Sequence, residues 1–240
     1  VPGKQSRNER IEEFLREHYA FRYNTVKNRA EFRRSDGEFL PVTKYRLNSF
    51  RRELDRTIGI STSAENLRSM LESDFSERVN PVQEYFRKLP PTAGTQAIDE
   101  LAATVTVRNA RHWTEYLTKW LVGVVANAMN DVGCQNHVCL VLTGEQGKFK
   151  TTWLDNLCPR TLASYLFTGK IDPQNKDVLT LVAEYLFINI DDQLKALNKR
   201  DENELKNLIT APSVKYRRPY DAYIEEYPHL ASFMASVNGN

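Results

Sequence analysis

Long apolar runs are missing from this 240-residue chain. No stretch approaches the roughly 20 consecutive apolar residues that a membrane-spanning helix needs. The first residues also lack the basic, apolar and small-residue regions of a secretory signal. A cytoplasmic protein with no membrane contact is therefore expected. Cysteine is scarce, with only Cys134, Cys139 and Cys158. Three thiols at these spacings form neither a disulfide framework nor a zinc pattern, so reduced, partly buried thiols are expected. Charge of one sign is lacking too: 33 Lys/Arg against 31 Asp/Glu leave a formal +2. The imbalance is local, because residues 1–56 hold 14 basic and 9 acidic side chains (+5) and the remainder carries −3. A basic front end suits nucleic acid, and it equally suits a solvated helix-and-hairpin surface. Glycine is sparse, 10 residues in 240, below the usual share of roughly 7 %, so a local cluster of it carries information. No internal repeat or low-complexity tract is present. The chain opens Val1-Pro2-Gly3 without methionine, and a piece of a longer protein is expected.

What is present is ordinary for a folded domain, 41 % hydrophobic and 27 % charged. Ile11, Phe14 and Leu15 have helical spacing within residues 8–18. Alternating residues over 21–43, with Lys27-Asn28 and Asp36-Gly37 as turn signals, predict a small antiparallel hairpin. Leu47, Phe50 and Leu54 predict a helix over 44–57, and Ser61 or Ser63 can cap another that ends near Ser73. Prolines 81, 90 and 91 mark a linker. The expected organisation is a helical and hairpin module over 1–92, for DNA binding or assembly, followed by a second domain over 93–240. That domain starts with a helix over about 108–129, whose Trp113, Leu117, Leu121, Val124 and Val125 predict burial against a sheet. From Val138 onward four short apolar runs, VCLVLTG, ASYLFTG, YLFINID and ASFMASVN, alternate with helical patterns. The fold class expected is α/β, with a mainly parallel sheet and flanking helices.

The glycines gather where the first of these strands ends. Gly144-Glu145-Gln146-Gly147-Lys148-Phe149-Lys150-Thr151, followed by Thr152, fits the GxxxxGK(S/T) phosphate-binding pattern with one departure. Such a loop turns backbone N–H groups inward, supplies an ammonium to phosphates and places a hydroxyl for Mg²⁺. Phe149 stands where the last glycine usually stands. A side chain is tolerated there if it points outward, with the backbone expected in the right-handed or bridge region. Forty positions beyond Thr151, YLFINI ends in Asp191-Asp192. A buried strand that delivers paired carboxylates to its C-terminal edge suits metal-bound phosphoryl transfer, one acid for Mg²⁺ and one for the attacking water. A further apolar run ends in Asn238, an amide able to hydrogen-bond a γ-phosphate or the lytic water. Taken singly, each of the three also reads as a polar turn after a strand.

In this order, the loop, the Asp-Asp strand and the Asn-ending strand resemble the superfamily-3 helicases of the AAA+ ATPases. More closely, GEQGKFKTTWL, YLFINIDDQ, LKNLITAPSVKYRRPY and ASFMASVNGN resemble the virulence-associated E family of phage and mobile-element proteins, over about 101–240. The resemblance implies a P-loop ATPase core of strand order 5-1-4-3-2 that works as a homo-oligomeric ring. It also implies Lys150 on the β- and γ-phosphates, Thr151 and Asp191 on Mg²⁺, Asp192 as the catalytic carboxylate and Asn238 as sensor. Two departures stand out. Phe149 replaces glycine, and Asp-Asp replaces the commoner Asp-Glu. The arginine-finger segment and last strand that usually follow lie beyond Asn240, so weak hydrolysis by this piece is expected.

The resemblance also implies a channel hairpin between the carboxylate and sensor strands, matching residues 213–220. Lys215, Arg217 and Arg218 there, with Lys206 nearby, are candidates for single-stranded or forked DNA, cations tracking phosphates while aromatics stack on bases. A basic surface loop is the competing reading. The function expected is an ATP-binding, DNA-dependent, helicase-like ATPase for replication or mobilisation of a mobile element. A DNA-binding or assembly module with a vestigial nucleotide site and a P-loop small-molecule kinase remain as alternatives.

Overall fold

The computed structural model describes residues 5–92, 94–132, 136–218 and 223–239. The chain divides after Glu84 into two compact units.

The first unit opens with α1 (Arg7–His18), started by a capping box in which Ser6 and Glu9 satisfy each other's backbone N–H groups. The alternating segment forms β1 (Ala20–Asn24) and β2 (Arg29–Arg33), paired antiparallel, followed by β3 (Leu40–Pro41). Helix α2 (Lys44–Ile58) is capped by the Thr43 hydroxyl and stopped by Gly59, whose φ of 67° suits a residue without Cβ. Ser63 caps α3 (Ala64–Leu71), and β4 (Glu77–Val79) then pairs parallel to β1, giving the order β3-β2-β1-β4. Ile11, Phe14, Leu15, Leu47, Phe50 and Leu54 are buried with Phe32 in one core. Glu31, only 3 % exposed, is matched by Arg22 at 2.7 Å and Asn24 at 2.8 Å, so its buried charge is compensated.

After α4 (Pro81–Lys88), the second unit adds α5 (Gln96–Ala103) and α6 (Ala110–Ala128). The first predicted strand is β5 (Leu140–Gly144), which runs through the glycine cluster into α7 (Lys150–Asp155). A 3-10 turn at Arg160–Tyr165 precedes β6 (Leu166–Gly169), and α8 (Asp177–Glu184) precedes β7 (Phe187–Asp191). A 3-10 turn at Leu194–Ala196, α9 (Lys199–Thr210) and an antiparallel pair, β8 (Ser213–Tyr216) with β9 (Glu225–Pro228), lead to β10 (Ser232–Asn238). Strands β5, β10, β7 and β6 make one all-parallel sheet in that spatial order. Counted along the chain this is first, fourth, third, second, the part of a 5-1-4-3-2 order that four strands can form.

Strands β7 and β10 are central and covered on both faces, which is why their sequences are nearly continuous apolar runs. Their alternate residues go to opposite layers. Ile188, Ile190, Phe233 and Ala235 meet α8, α9 and the β8–β9 pair. Phe187, on the other face, stacks on Trp120 of α6 at 5.8 Å, and the indole donates to Phe233 O at 3.2 Å. No helix among the described residues is long and apolar enough to cross a membrane. Burial pushes the thiol of Cys139 up to about 12 and that of Cys158 to about 11, so both stay protonated near neutrality. Cys134 lies outside the described residues.

Candidate functional site

Because the four strands are parallel, all of them end at one edge of the sheet, where open α/β folds bind ligands. The register decides which residues meet there. Asn238 pairs with Gly144, and Ser236 pairs with Asp191. The loop after β5, the carboxylates after β7 and the amide ending β10 therefore converge, although they are up to 94 positions apart along the chain (144 to 238).

Lys150 sits at the first position of α7 and folds back over the loop. Its Nζ donates to Gly144 O at 2.9 Å, Glu145 O at 2.6 Å and Asn238 Oδ1 at 3.0 Å. All three acceptors are neutral oxygens. Thr151 Oγ1 donates to Asp191 Oδ1 at 2.8 Å and lies 3.0 Å from Ser236 Oγ, which itself donates to Asp191 at 2.9 Å. Asp192 accepts from both nitrogens of Asn238, N at 3.0 Å and Nδ2 at 2.8 Å. The Asn238 backbone N–H and side-chain amide, then the nearby ammonium groups of Lys150 and Lys195, hold the Asp192 carboxyl below the usual carboxylate range. It stays ionised at neutral pH and is a weak proton acceptor.

The loop itself differs from expectation at one residue. Phe149 adopts φ 55° and ψ 24°, the left-handed region, rather than the right-handed or bridge conformation. Its backbone takes the form a glycine would take, and the ring is thrown outward, 79 % exposed. Gly147 has φ 79°, where glycine is at ease. Lys148 pairs with Glu145 at 3.5 Å on the exposed face, Gln146 is exposed, and Thr152 lies exposed on α7. Left-handed backbone costs a residue with Cβ about 1–2 kcal/mol, while glycine adds roughly 0.5–1 kcal/mol of unfolded-chain freedom. Phe149→Gly is thus expected to stabilise the protein by about 0.5–1 kcal/mol, or about 1–4 °C in Tm for a unit of this size. A thermal melt checks this, and a lowered Tm would show that the ring makes a contact worth more than the strain.

Several residues that no motif marks hold the edge in shape. Asn189, two positions before Asp191 and so on the same strand face, donates to Asp155 Oδ1 at 2.8 Å and to Thr151 O at 3.3 Å. Thr168 of β6 also donates to Asp155, at 2.6 Å. Trp153 Nε1 reaches Thr104 Oγ1 at 2.8 Å, and its ring meets Trp113 at 5.8 Å. The period of two along β7 and β10 was the available signal for Asn189 and Ser236. Asp155 and Lys195 had none.

The four candidate cations for nucleic acid are placed differently from one another. Lys206 pairs with Glu202 on α9, and Lys215 pairs across the hairpin with Glu226 at 3.3 Å. Arg218 is turned inward, its side chain 11 % exposed, 3.4 Å from Glu184 and 4.3 Å over the Tyr227 ring. Arg217 is exposed and forms no ion pair among the described residues. Pro219 and Tyr220 of the matched segment lie outside the described residues.

No curated protein matches this chain. Solved structures titled as the apo NrS-1 C-terminal region share its fold: one is 14 % identical with a TM-score of 0.56, covering 95 % of this chain and 56 % of that one. A second is 11 % identical with a TM-score of 0.57, covering 98 % and 58 %. The chain thus spans a little over half the length of these structures. The Virulence-associated protein E-like domain matches residues 88–240, well over half the chain and the whole of the site, so this protein belongs to the virulence-associated protein E-like family.

Proposed function

We propose that this edge binds ATP with Mg²⁺ and that the chain is the motor part of a DNA-dependent, helicase-like ATPase serving a mobile genetic element. The observation that carries the reading is the convergence of Lys150, Thr151, Asp191, Asp192 and Asn238 within one hydrogen-bonded group. Membership of the family supports the mobile-element setting. Lys150 would exchange its carbonyl partners for β- and γ-phosphate oxygens, a gain because bonds between charged partners are the stronger kind. Asp192, kept ionised and weakly basic, would orient the attacking water rather than remove its proton early. Asn238 would report the terminal phosphate to β10. In the intact protein the motor would act as a ring.

The donor set fits Mg²⁺. Thr151 Oγ1, Asp191 Oδ1 and Ser236 Oγ are hard oxygens within 3.0 Å of one another. No group of three or more His, Cys, Asp or Glu able to hold a metal unaided occurs among the described residues. Magnesium commonly takes one or two carboxylates and completes its shell with phosphate and water, so it would arrive with the nucleotide. When bound, it would neutralise charge between the β- and γ-phosphates. The test is titration with a labelled ATP analogue with and without Mg²⁺. Affinity is expected to rise at least about tenfold with the metal, and equal affinities would defeat the reading.

On the DNA side, Arg217 is exposed and forms no ion pair among the described residues. Arg217→Ala is expected to weaken single-stranded DNA binding and reduce the slope of log affinity against log salt by about 0.7, one phosphate contact. Arg218→Ala is expected to lower Tm instead, because it removes an inward-turned side chain that pairs with Glu184 and lies over the Tyr227 ring. An unchanged salt slope for Arg217→Ala would move the DNA contact elsewhere.

A further inference from the structure

Lys195 belongs to none of the motifs, yet the fold delivers it to the centre of the site. It lies in the 3-10 turn Leu194–Ala196, just past the carboxylate pair. The preceding residue but one, Gln193, fixes that turn. Its side-chain amide accepts from Ile171 N at 2.8 Å and donates to Ile171 O at 2.5 Å, tying the turn to the segment that leaves β6. The turn then sends Lys195 back across the sheet edge, where Nζ donates to Asn238 O at 2.5 Å. Gly239 leaves room for this approach: a Cβ at that position would meet the ammonium group of Lys195.

Asn238 therefore spends all four of its polar groups inside the site. Its N and Nδ2 bind Asp192, its Oδ1 binds Lys150 and its backbone O binds Lys195. Two ammonium groups engage one residue, and the oxygens holding them are neutral. Among the described residues Lys195 forms no ion pair with a carboxylate. An ammonium carries three donors, and a single carbonyl occupies one of those on Lys195. The other two donors of Lys195 have no carboxylate within ion-pair distance among the described residues, and a terminal phosphate is a group that would occupy them.

We infer that Lys195 is a second phosphate-binding cation of the same chain, which leaves Asn238 O for the terminal phosphate of a bound triphosphate and returns to it when only the diphosphate remains. This rests on reading the edge as a triphosphate site. A phosphate oxygen outcompetes a neutral carbonyl for an ammonium because the bond is charge-assisted on both sides. Release of Asn238 O then frees the end of β10, so the same exchange that distinguishes ATP from ADP loosens the strand bearing the sensor amide. Were Lys195 a mere strut for β10, its removal would affect both nucleotides alike.

The test measures binding of a labelled non-hydrolysable ATP analogue and of labelled ADP, each with Mg²⁺, by the whole chain. Lys195→Ala is expected to weaken the triphosphate about tenfold and the diphosphate less than about twofold, the loss of one charge-assisted contact. Lys195→Arg is expected to keep the ratio of the two affinities within about threefold of the unaltered chain. Equal weakening of both nucleotides, or no change in either, would overturn the inference. Binding that survives Lys150→Ala would instead remove the triphosphate reading itself, whereas binding that needs Lys150 and ignores Lys195 sinks the inference alone.

Discussion

Lys150→Ala is expected to reduce affinity for Mg-ATP by at least about a hundredfold, near 2.7 kcal/mol. Hydrogen bonds to charged groups contribute about 1.5–3 kcal/mol each, and this ammonium would make more than one to the phosphates. Its three present acceptors are two loop carbonyls and the Asn238 amide, all able to turn to water when the ammonium is gone. The variant should therefore stay folded, with Tm within a few degrees of the parent. Loss of binding without loss of fold is the discriminating pair of results. Lys150→Arg is not expected to rescue, because a planar guanidinium does not replace a compact ammonium within a tight loop. A DNA-binding module with a vestigial site would bind DNA equally well with Lys150→Ala and would show no nucleotide affinity to lose. Retained nucleotide binding in Lys150→Ala would place the ligand away from this edge.

What made the edge legible was the parallel sheet itself. A strand buried on both faces must be apolar throughout, so β7 and β10 announce themselves as short apolar runs, and whatever polar residue ends them must lie at the rim. Asp191, Asp192 and Asn238 could be placed there without coordinates, and Gly144 marked where the first strand turns. The backbone of Phe149 was not legible in the same way. Most residues avoid the left-handed region, so the expected conformation was the cheaper one. The helix that follows, with Trp153 N bonded to Phe149 O at 2.9 Å and Lys150 folded over the loop, imposes the dearer one. Lys195 was hidden for another reason. Its position depends on the clamp between Gln193 and Ile171, 22 positions apart, and no local pattern encodes such a contact.

The long helix α6 shows the same limit, and there a substitution separates the two faces cleanly. Trp113, Leu117, Leu121, Val124 and Val125 fit a helical stripe by sequence. In the structure the buried face is Leu117, Trp120, Val124, Asn127 and Ala128, while Val122 and Val125 are 60 % and 42 % exposed. Apolar residues surround much of this helix, so hydropathy alone selects no unique face. Asn127 is buried as well, although asparagine is mostly exposed in folded proteins. Its Nδ2 donates to Leu230 O at 2.9 Å and Ala231 O at 3.3 Å, fastening α6 to the start of β10. Trp120, 2 % exposed, stacks on Phe187 and donates to Phe233 O, so it touches both central strands. Trp120→Ala is expected to cost about 3–5 kcal/mol through the lost apolar contact and the cavity left behind, lowering Tm by about 6–20 °C. Val125→Ala is expected to change stability by less than about 0.5 kcal/mol, as exposed substitutions usually do. A denaturant melt of the two variants checks the pair, and a Val125→Ala loss as large as that of Trp120→Ala would mean that the helix is turned to the stripe hydropathy suggests. Because Trp120 lies beneath the strands that carry Asp191 and Asn238, its loss should also weaken nucleotide binding, whereas Val125→Ala should leave it unchanged.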